Sequence, residues 1–203
     1  MKIVHVSDIH LTSTKEENLY GVNPYQNLAR IVNEISMLKS IDCIVITGDI
    51  AHNGEYESYL FVDELFREIN IPIYWLQGNH DYSEVMLQVT NQIKIKSDKS
   101  FIINKTKFVL LQSVMKDEDD LSKNKARGYL FDYEMKFLER ELREDNFEDC
   151  VVALHHSPVL SNSWMDKRIL DNRKEFISVL EQFPKVKLVL YGHQHFAQKT
   201  EQN

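Results

Sequence analysis

Short apolar runs alternate along the chain with longer segments in which apolar residues recur every three or four positions. The short runs, rich in valine and isoleucine, predict buried strands at residues 2–7, 42–47, 72–76, 107–112, 149–154 and 186–191. The longer segments predict helices from Pro24 to about Leu38, from Glu55 to Asn70, from Asp132 to Arg143 and from about Arg173 to Phe183. This alternation is typical of an α/β fold with buried strands.

One segment predicts antiparallel pairing. Residues 101–110 are expected to form a β-hairpin that turns at Asn104–Lys105, so part of the sheet is antiparallel and the architecture is mixed. No repeat, low-complexity tract or Gly/Pro/Ser linker interrupts the chain. We therefore expect residues 1–203 to form a single domain.

Charge and hydropathy exclude two classes of partner. The net charge is −7, with an acidic run at residues 117–120, and the basic residues are scattered among acidic ones. Such a surface repels a nucleic-acid backbone, so we expect no nucleic-acid partner. No run approaches the roughly 18 apolar residues that a membrane span requires, so we expect no membrane insertion.

Cysteine usage indicates the compartment. Cys43 and Cys150 lie inside predicted strands and are expected to be buried, inert thiols. A disulfide-stapled secreted domain would need more cysteines, and no apolar signal region precedes the first strand. We expect a cytoplasmic protein; the oligomeric state is left open, a dimer included.

Metal-competent residues follow five of the predicted strands. In chain order these loops contain Ser7-Asp8-Ile9-His10, Gly48-Asp49, Gly78-Asn79-His80-Asp81, His155-His156-Ser157-Pro158 and Gly192-His193-Gln194-His195. Six of the eight histidines fall in them, which a random scatter would not produce. In open α/β sheets the ligand site lies beyond the carboxyl ends of the strands, so we expect these side chains to converge.

The donor types indicate which metals would bind. Imidazole nitrogens and carboxylate oxygens without a thiolate suit Mn(II), iron or Zn(II), and not a structural cysteine-bound zinc. Residues i and i+2 of an extended segment point to the same side, so Asp8 and His10 can aim into one cleft, as can His193 and His195. Seven ligands are too many for one tetrahedral ion, but they fit two ions about 3.5–4 Å apart that clamp a phosphoryl group.

The ordered set Asp-x-His, Gly-Asp, Gly-Asn-His-Asp, His and Gly-His-x-His resembles the calcineurin-like metallophosphoesterases. The resemblance implies a four-layer α-β-β-α sandwich of two mixed sheets flanked by helices, with a dinuclear site at its edge. It implies two divalent ions per chain, Mn or Fe in preference to Zn. By motif position, the first ion would be held by Asp8, His10, Asp49 and His195, and the second by Asp49, Asn79, His155 and His193.

The same resemblance assigns the remaining roles. Asp49 would bridge the ions, and His80 would be the catalytic residue that protonates the leaving oxygen or stabilises charge on the phosphoryl group. Asn79, His80 and His195 would contact the substrate. Members of this family usually continue past Gly-His-x-His with further strands, whereas this chain stops at Asn203, which would leave the second sheet incomplete.

The segment after His155 resembles one branch of this family more than the others. Residues 157–172, with Trp164 among them, look like the corresponding loop of the bacterial 3′,5′-cyclic AMP phosphodiesterases and the related glycerophosphodiesterase branch. This implies hydrolysis of a small phosphodiester, 3′,5′-cyclic AMP first, by attack of metal-bound hydroxide. Trp164 either faces a substrate base or caps the core beneath its loop.

Several alternatives stay open at this stage. His155 is favoured over His156 as the ligand, which leaves His156 as a neighbour of the site, and His52 either lines the pocket or lies on a loop surface. Asp81 is expected to orient the Asn79–His80 turn and not to bind metal. The alternative functions are a broader phosphodiesterase or phosphatase, acting on glycerophosphodiesters or nucleotides, and a metal-binding scaffold without catalytic activity.

Overall fold

The computed structural model describes residues 1–120 and 123–201. Strands and helices alternate, which confirms the predicted α/β class. The chain divides into two compact units at the Asp98–Lys99 boundary, and each is described by itself. The expectation of a single domain over residues 1–203 stays a prediction.

The first unit contains a three-stranded parallel sheet in the order β1-β2-β3. Its elements are β1 (Ile3–Val6), α1 (Pro24–Met37), β2 (Cys43–Thr47), α2 (Tyr56–Phe66), β3 (Ile73–Leu76) and α3 (Ser83–Thr90). The central strand β2 is buried at all five positions, which explains its uninterrupted apolar sequence. Parallel pairing brings the carboxyl ends of the three strands to one edge of this sheet.

Helices α1 and α2 pack their apolar residues into the core of the first unit. Helix α1 begins at Pro24 behind Asn23, whose side chain accepts a hydrogen bond from the Gln26 backbone N–H at 2.8 Å. Its buried stripe and that of α2 recur at three-and-four spacing, through Leu28, Val32, Ile35, Tyr59, Val62 and Phe66. Helix α2 ends at Phe66, four residues before the predicted end.

The second unit contains a four-stranded mixed sheet in the order β4-β5-β8-β9. Its elements are β4 (Ser100–Ile103), β5 (Thr106–Leu110), β6 (Val114–Lys116), β7 (Asn124–Gly128), α4 (Asp132–Leu142), β8 (Asp149–Ala153), a short 3₁₀ helix (Trp164–Lys167), α5 (Arg173–Leu180) and β9 (Val186–Leu190). Strands β4 and β5 pair antiparallel, whereas β5, β8 and β9 are parallel. Strands β6 and β7 form a separate two-stranded ribbon.

The predicted hairpin at residues 101–110 is confirmed. Its two central residues, Asn104 and Lys105, have positive φ values of 48° and 66°, as a two-residue type I′ turn requires. Both sheets were expected to be mixed. The sheet of the second unit is mixed, whereas the three described strands in the sheet of the first unit are all parallel. The layered sandwich arrangement remains a prediction.

One buried charge in the second unit has clear partners. Lys107 lies in β5 and its ammonium group is 2.7 Å from a Glu141 carboxylate oxygen and 2.8 Å from one of Glu144. These ion pairs allow a lysine within a buried strand. Within residues 1–120 and 123–201, no helix combines the length and apolar character needed to cross a bilayer.

Candidate metal centre

The loops that follow β1 and β2 run side by side beyond the strand ends. The backbone N–H of Asp8 donates to the Gly48 carbonyl at 3.1 Å, and that of His10 donates to the Asp49 carbonyl at 2.9 Å. This pairing brings together the side chains of Asp8, His10 and Asp49, which each offer a ligand atom within 4.8 Å of the others. The predicted convergence of these three residues is therefore present in the first unit.

The Asp49 carboxylate is buried, with a backbone hydrogen bond to one oxygen and an imidazole ring near the other. Its Oδ1 accepts a hydrogen bond from the His80 backbone N–H at 2.8 Å, and its Oδ2 lies 3.6 Å from His10 Nε2. Gly78 packs directly against it, because a Cβ atom at that position would lie 2.2 Å from both the backbone nitrogen and Oδ1 of Asp49. Glycine is thus required at position 78 so that Asp49 can reach its place.

Asp81 ties together the loops that follow β2 and β3. Its fully buried carboxylate accepts hydrogen bonds from the backbone N–H groups of Ile50, Ala51 and Gly78 and from the Tyr59 hydroxyl. The contact with Gly78, which begins the turn, is consistent with the expectation that Asp81 orients the Asn79–His80 turn. Burial, and secondarily the negative charge of Asp49, raise the pKa of Asp81 to about 6, against the lowering effect of the backbone donors.

His80 is held in one orientation. Its Nδ1 lies 2.7 Å from the His52 carbonyl oxygen. Because a carbonyl oxygen only accepts, Nδ1 must carry the hydrogen in this bond, which leaves Nε2 as the atom for chemistry. The ring also stacks against that of His52, with centroids 5.4 Å apart.

In the second unit, His155 and His193 meet at the ends of β8 and β9. Backbone pairing continues past both strands, since Leu154 N–H donates to the Leu190 carbonyl at 3.0 Å and Gly192 N–H to the His155 carbonyl at 2.9 Å. His155 Nε2 and His193 Nδ1 are 3.2 Å apart, and both residues are buried. The structure therefore places these two predicted ligands together.

His156 occupies a fitted slot beside this pair. Its Nδ1 is 2.9 Å from the Ser113 hydroxyl, which also accepts the His156 backbone N–H at 3.3 Å. Gly128 leaves room for the ring, because a Cβ there would lie 2.3–2.6 Å from three His156 side-chain atoms. The His156 ring contacts the rings of His155 and His193, with centroids 5.0 Å and 4.7 Å away. Such neighbours orient ligands.

The other two predicted ligands, Asn79 and His195, are more accessible. Asn79 is half-buried in the loop after β3, and His195 is exposed with a φ of 56°. The division of the seven ligands between two ions stays a prediction.

Left-handed backbone is concentrated at the predicted ligands. Ten non-glycine residues among those described have positive φ, and five of them are Asp8, His10, Asp49, His193 and His195. This conformation costs a non-glycine residue roughly 1–2 kcal/mol, so proteins retain it where function requires it. Half of the strained non-glycine positions in the described residues are therefore predicted ligands, which are aspartates and histidines, residue types that tolerate this conformation better than most.

The donor chemistry fits a divalent metal. The grouped side chains offer nitrogen and oxygen donors, and the two thiols lie elsewhere, buried in β2 and β8. Burial raises the pKa of Cys43 to about 11 and that of Cys150 to about 12, so neither is a thiolate at neutral pH. A cation at Asp49 would also offset the repulsion between the carboxylates of Asp49 and Asp81.

The loop of residues 157–172 is organised by its own polar groups. Ser161 donates to Asp166 Oδ1 through both its backbone N–H and its hydroxyl, each at 2.8 Å. Trp164, at the start of the 3₁₀ helix, is 67% exposed, with the Arg168 guanidinium 5.1 Å from its ring centroid. The alternative that Trp164 caps the core is therefore wrong.

Two contributors to the site were not predicted from the sequence. Ser113 and Gly128, which form the slot for His156, are 43 and 28 residues away from it along the chain. The scarcity of glycine, with six in the chain, is the one sequence feature that could have drawn attention to Gly128. It could not identify the histidine that the glycine accommodates.

Comparison with known proteins gives one consistent family. A model of the calcineurin-like phosphoesterase family matches residues 1–197. A 3′,5′-cyclic-nucleotide phosphodiesterase of Nostoc sp. is 32% identical over 197 residues, which are 96% of this chain and 71% of that protein. A 3′,5′-cyclic adenosine monophosphate phosphodiesterase of Escherichia coli is 30% identical over 197 residues, which are 96% of this chain and 70% of that protein.

A solved structure shares the fold. The purple acid phosphatase from yellow lupin (Lupinus luteus) seeds superposes with a TM-score of 0.64 at 15% identity. The match covers 95% of this chain and 37% of that one. At this identity the likeness supports the fold alone.

Replacing Gly78 by alanine should damage the site by displacing Asp49. The added Cβ must move backbone and carboxylate, so we expect a loss of about 1–3 kcal/mol in the free energy of unfolding and weaker Mn(II) binding. Gly21→Ala is the control for metal binding, because nothing lies within 4 Å of an added Cβ there and Mn(II) affinity should be unchanged. The positive φ of Gly21 (83°) adds a backbone cost to the stability of this control that Gly78, which lacks a positive φ, does not have. Denaturant unfolding and equilibrium dialysis measure both effects. Unchanged Mn(II) affinity in Gly78→Ala would contradict the proposed constraint.

Proposed function

The chain belongs to the calcineurin-like phosphoesterase family, and from that premise we propose that it is a dinuclear metal-dependent phosphodiesterase acting on a small phosphodiester, with 3′,5′-cyclic AMP as the first candidate. Family membership supports a metal-dependent phosphoester hydrolase. The main support for a dinuclear centre is that the donor set is complete. All seven expected ligand residues are present, each in a loop that follows one of the predicted strands.

We propose that the seven ligands hold two ions that share Asp49. In the first unit, the proximity of Asp8, His10 and Asp49 supports this assignment, and in the second unit the proximity of His155 and His193 does so. The nitrogen and oxygen donors suit Mn, Fe or Zn, and the family resemblance is the reason for proposing Mn or Fe in preference to Zn. When bound, the ions would polarise the phosphoryl oxygens and supply a nucleophile at neutral pH.

His80 is the residue that we propose to act on the leaving group. Its Nδ1 hydrogen is committed to the His52 carbonyl, so the protonated ring can give a proton only from Nε2. The hydrogen bond from its backbone N–H to Asp49 fixes the ring relative to a predicted metal ligand. Asn79 and His195 are proposed to contact the substrate together with His80.

The cyclic nucleotide is proposed from the loop of residues 157–172 and from the relatives' activities. The Trp164 indole is 67% exposed in that loop, and an exposed aromatic face can stack on a nucleobase. Two proteins about 30% identical over most of the chain are named as cyclic-nucleotide phosphodiesterases. With a net charge of −7 we further expect no nucleic-acid partner, and a cytoplasmic location stays a prediction.

A turnover panel after Mn(II) reconstitution tests the substrate. It compares 3′,5′-cyclic AMP, 2′,3′-cyclic AMP, a glycerophosphodiester, bis-p-nitrophenyl phosphate and p-nitrophenyl phosphate. We expect the highest kcat/KM for 3′,5′-cyclic AMP and a preference for the nitrophenyl diester over the monoester. A monoester preference would indicate a phosphatase, and no turnover at full metal loading would indicate a scaffold.

Trp164→Ala should weaken the binding of those substrates alone that carry a nucleobase. Stacking of one base on an aromatic side chain contributes roughly 1–3 kcal/mol, so KM for 3′,5′-cyclic AMP should rise about 5–150-fold. A glycerophosphodiester without an aromatic group should be unaffected, and Trp164→Phe should retain most of the affinity. An equal rise in KM for both substrates would argue against base stacking.

His80→Ala should separate metal binding from catalysis. We expect both ions to be retained while kcat falls roughly 10²–10⁴-fold, the usual contribution of a positioned general acid. The loss should be smaller for nitrophenyl esters, because a good leaving group needs little protonation. Elemental analysis and kinetics measure the two effects. Loss of metal would make His80 structural, and equal slowing of good and poor leaving groups would assign it to the phosphoryl oxygens.

A further inference from the structure

Three imidazole rings form a compact cluster in the first unit. His10, His52 and His80 are all half-buried, and one nitrogen of each lies within 4.8 Å of the others. Their ring centroids are 4.8 Å apart for His10–His80, 5.4 Å for His52–His80 and 5.6 Å for His10–His52. We call these three residues the imidazole cluster.

His52 is the member that the predicted ligand set does not explain. Its backbone carbonyl holds His80, but that contact needs no imidazole at position 52. Its ring nitrogen Nδ1 is buried and has no hydrogen-bond partner in the described part of the chain. Burying a polar atom without a partner destabilises the folded state, and a ligand at this nitrogen would offset that cost.

The ring arrangement is close to that of three ligands on one ion. At the Zn–N distance of about 2.0–2.1 Å, tetrahedral geometry sets neighbouring donors about 3.4 Å apart. The three ring nitrogens lie within 4.8 Å of one another, so each pair must approach by at most about 1.4 Å to bind one ion. Half-buried rings can move this far by rotating about their side-chain bonds. The Asp49 carboxylate, 3.6 Å from His10 Nε2, provides negative charge beside the cluster.

The donor type selects the cation. An all-nitrogen set of imidazoles binds Zn(II), Ni(II) and Cu(II) more strongly than Mn(II), and it suits Mg(II) poorly. Three histidines with a fourth position open to water are a common zinc arrangement. Zn(II) is therefore the ion to which the cluster is best matched.

We propose that the imidazole cluster is an inhibitory Zn(II) site. Zinc bound there would occupy Nε2 of His80, the atom that protonates the leaving group, and would compete for the His10 ring with the first catalytic ion. The inhibitory consequence rests on the proposed function, whereas zinc binding by the cluster does not. Excess Zn(II) would thus suppress hydrolysis by a Mn(II)-loaded protein.

Equilibrium dialysis against Zn(II), with the full chain in saturating Mn(II), tests binding without reference to activity. We expect one zinc per chain, and at least about tenfold weaker affinity in His52→Ala and in His52→Phe, because each loses a ligand nitrogen. The phenylalanine variant keeps a flat ring against His80, so it separates ligation from ring stacking. His5→Ala, a histidine of the same unit outside the cluster, should bind zinc as the unaltered chain does, and Mg(II) should not replace it.

Zinc inhibition curves, each normalised to the variant's own zinc-free rate, test the consequence. The zinc concentration for half-inhibition should rise at least about tenfold in both His52 variants, in step with the dialysis result. If zinc affinity and inhibition are the same in all variants, zinc has entered the catalytic positions and the proposal is wrong. If no substrate is turned over, the proposed function fails while dialysis still decides the site. Zinc binding that requires His52 but does not inhibit would overturn the inhibitory role.

Discussion

The buried carboxylate of Asp81 is the interaction on which the first unit's part of the site depends. It accepts hydrogen bonds from three backbone N–H groups and a tyrosine hydroxyl, and so fixes the loop after β2 against the loop after β3. Asp49 begins the first of these loops and His80 lies in the second. A side chain that touches neither substrate nor metal in the proposed mechanism therefore determines where a predicted ligand and the proposed acid are placed. Hydrogen bonds to an ionised acceptor are among the stronger ones, which suits a carboxylate that must hold two loops together, the first of them strained at Asp49.

Strain and rigidity are linked in this arrangement. Asp8, His10 and Asp49 all have left-handed backbone, and each would relax if its loop were free to do so. The backbone pairing of Asp8 with Gly48 and of His10 with Asp49 prevents that relaxation. The second unit uses a different device, since the orientation of its histidines depends on a slot formed by Ser113 and Gly128. Both devices set ligand geometry before a ligand arrives, which reduces the entropy lost on binding.

The strands and the ligand motifs were predictable because their signals are local. A strand buried on both faces is a continuous apolar run, as in β2, and the metal-competent residues follow such runs directly. The β6–β7 ribbon was missed because it contains Val114–Lys116 and Asn124–Gly128, which show no apolar alternation. Helix α3 was missed because its eight residues span little more than two turns, too short for periodicity to emerge. The Ser113–His156 contact joins residues 43 positions apart, and no local pattern encodes such a contact.

The full burial of β2 has a consequence for the timescale of motion at the site. Asp49 follows this strand after a single residue, and its loop is tied to Asp81, so it cannot move as a surface loop does on the nanosecond scale. Displacing it requires opening part of the core, an event that belongs to slow sub-global unfolding. The tip of the segment 157–172, where Trp164 is largely exposed, is held by its own hydrogen bonds, such as those of Ser161 with Asp166, and not by a buried strand. We therefore expect the faster motions in the segment proposed to hold the base, and the slower ones at the carboxylate proposed to hold the metals.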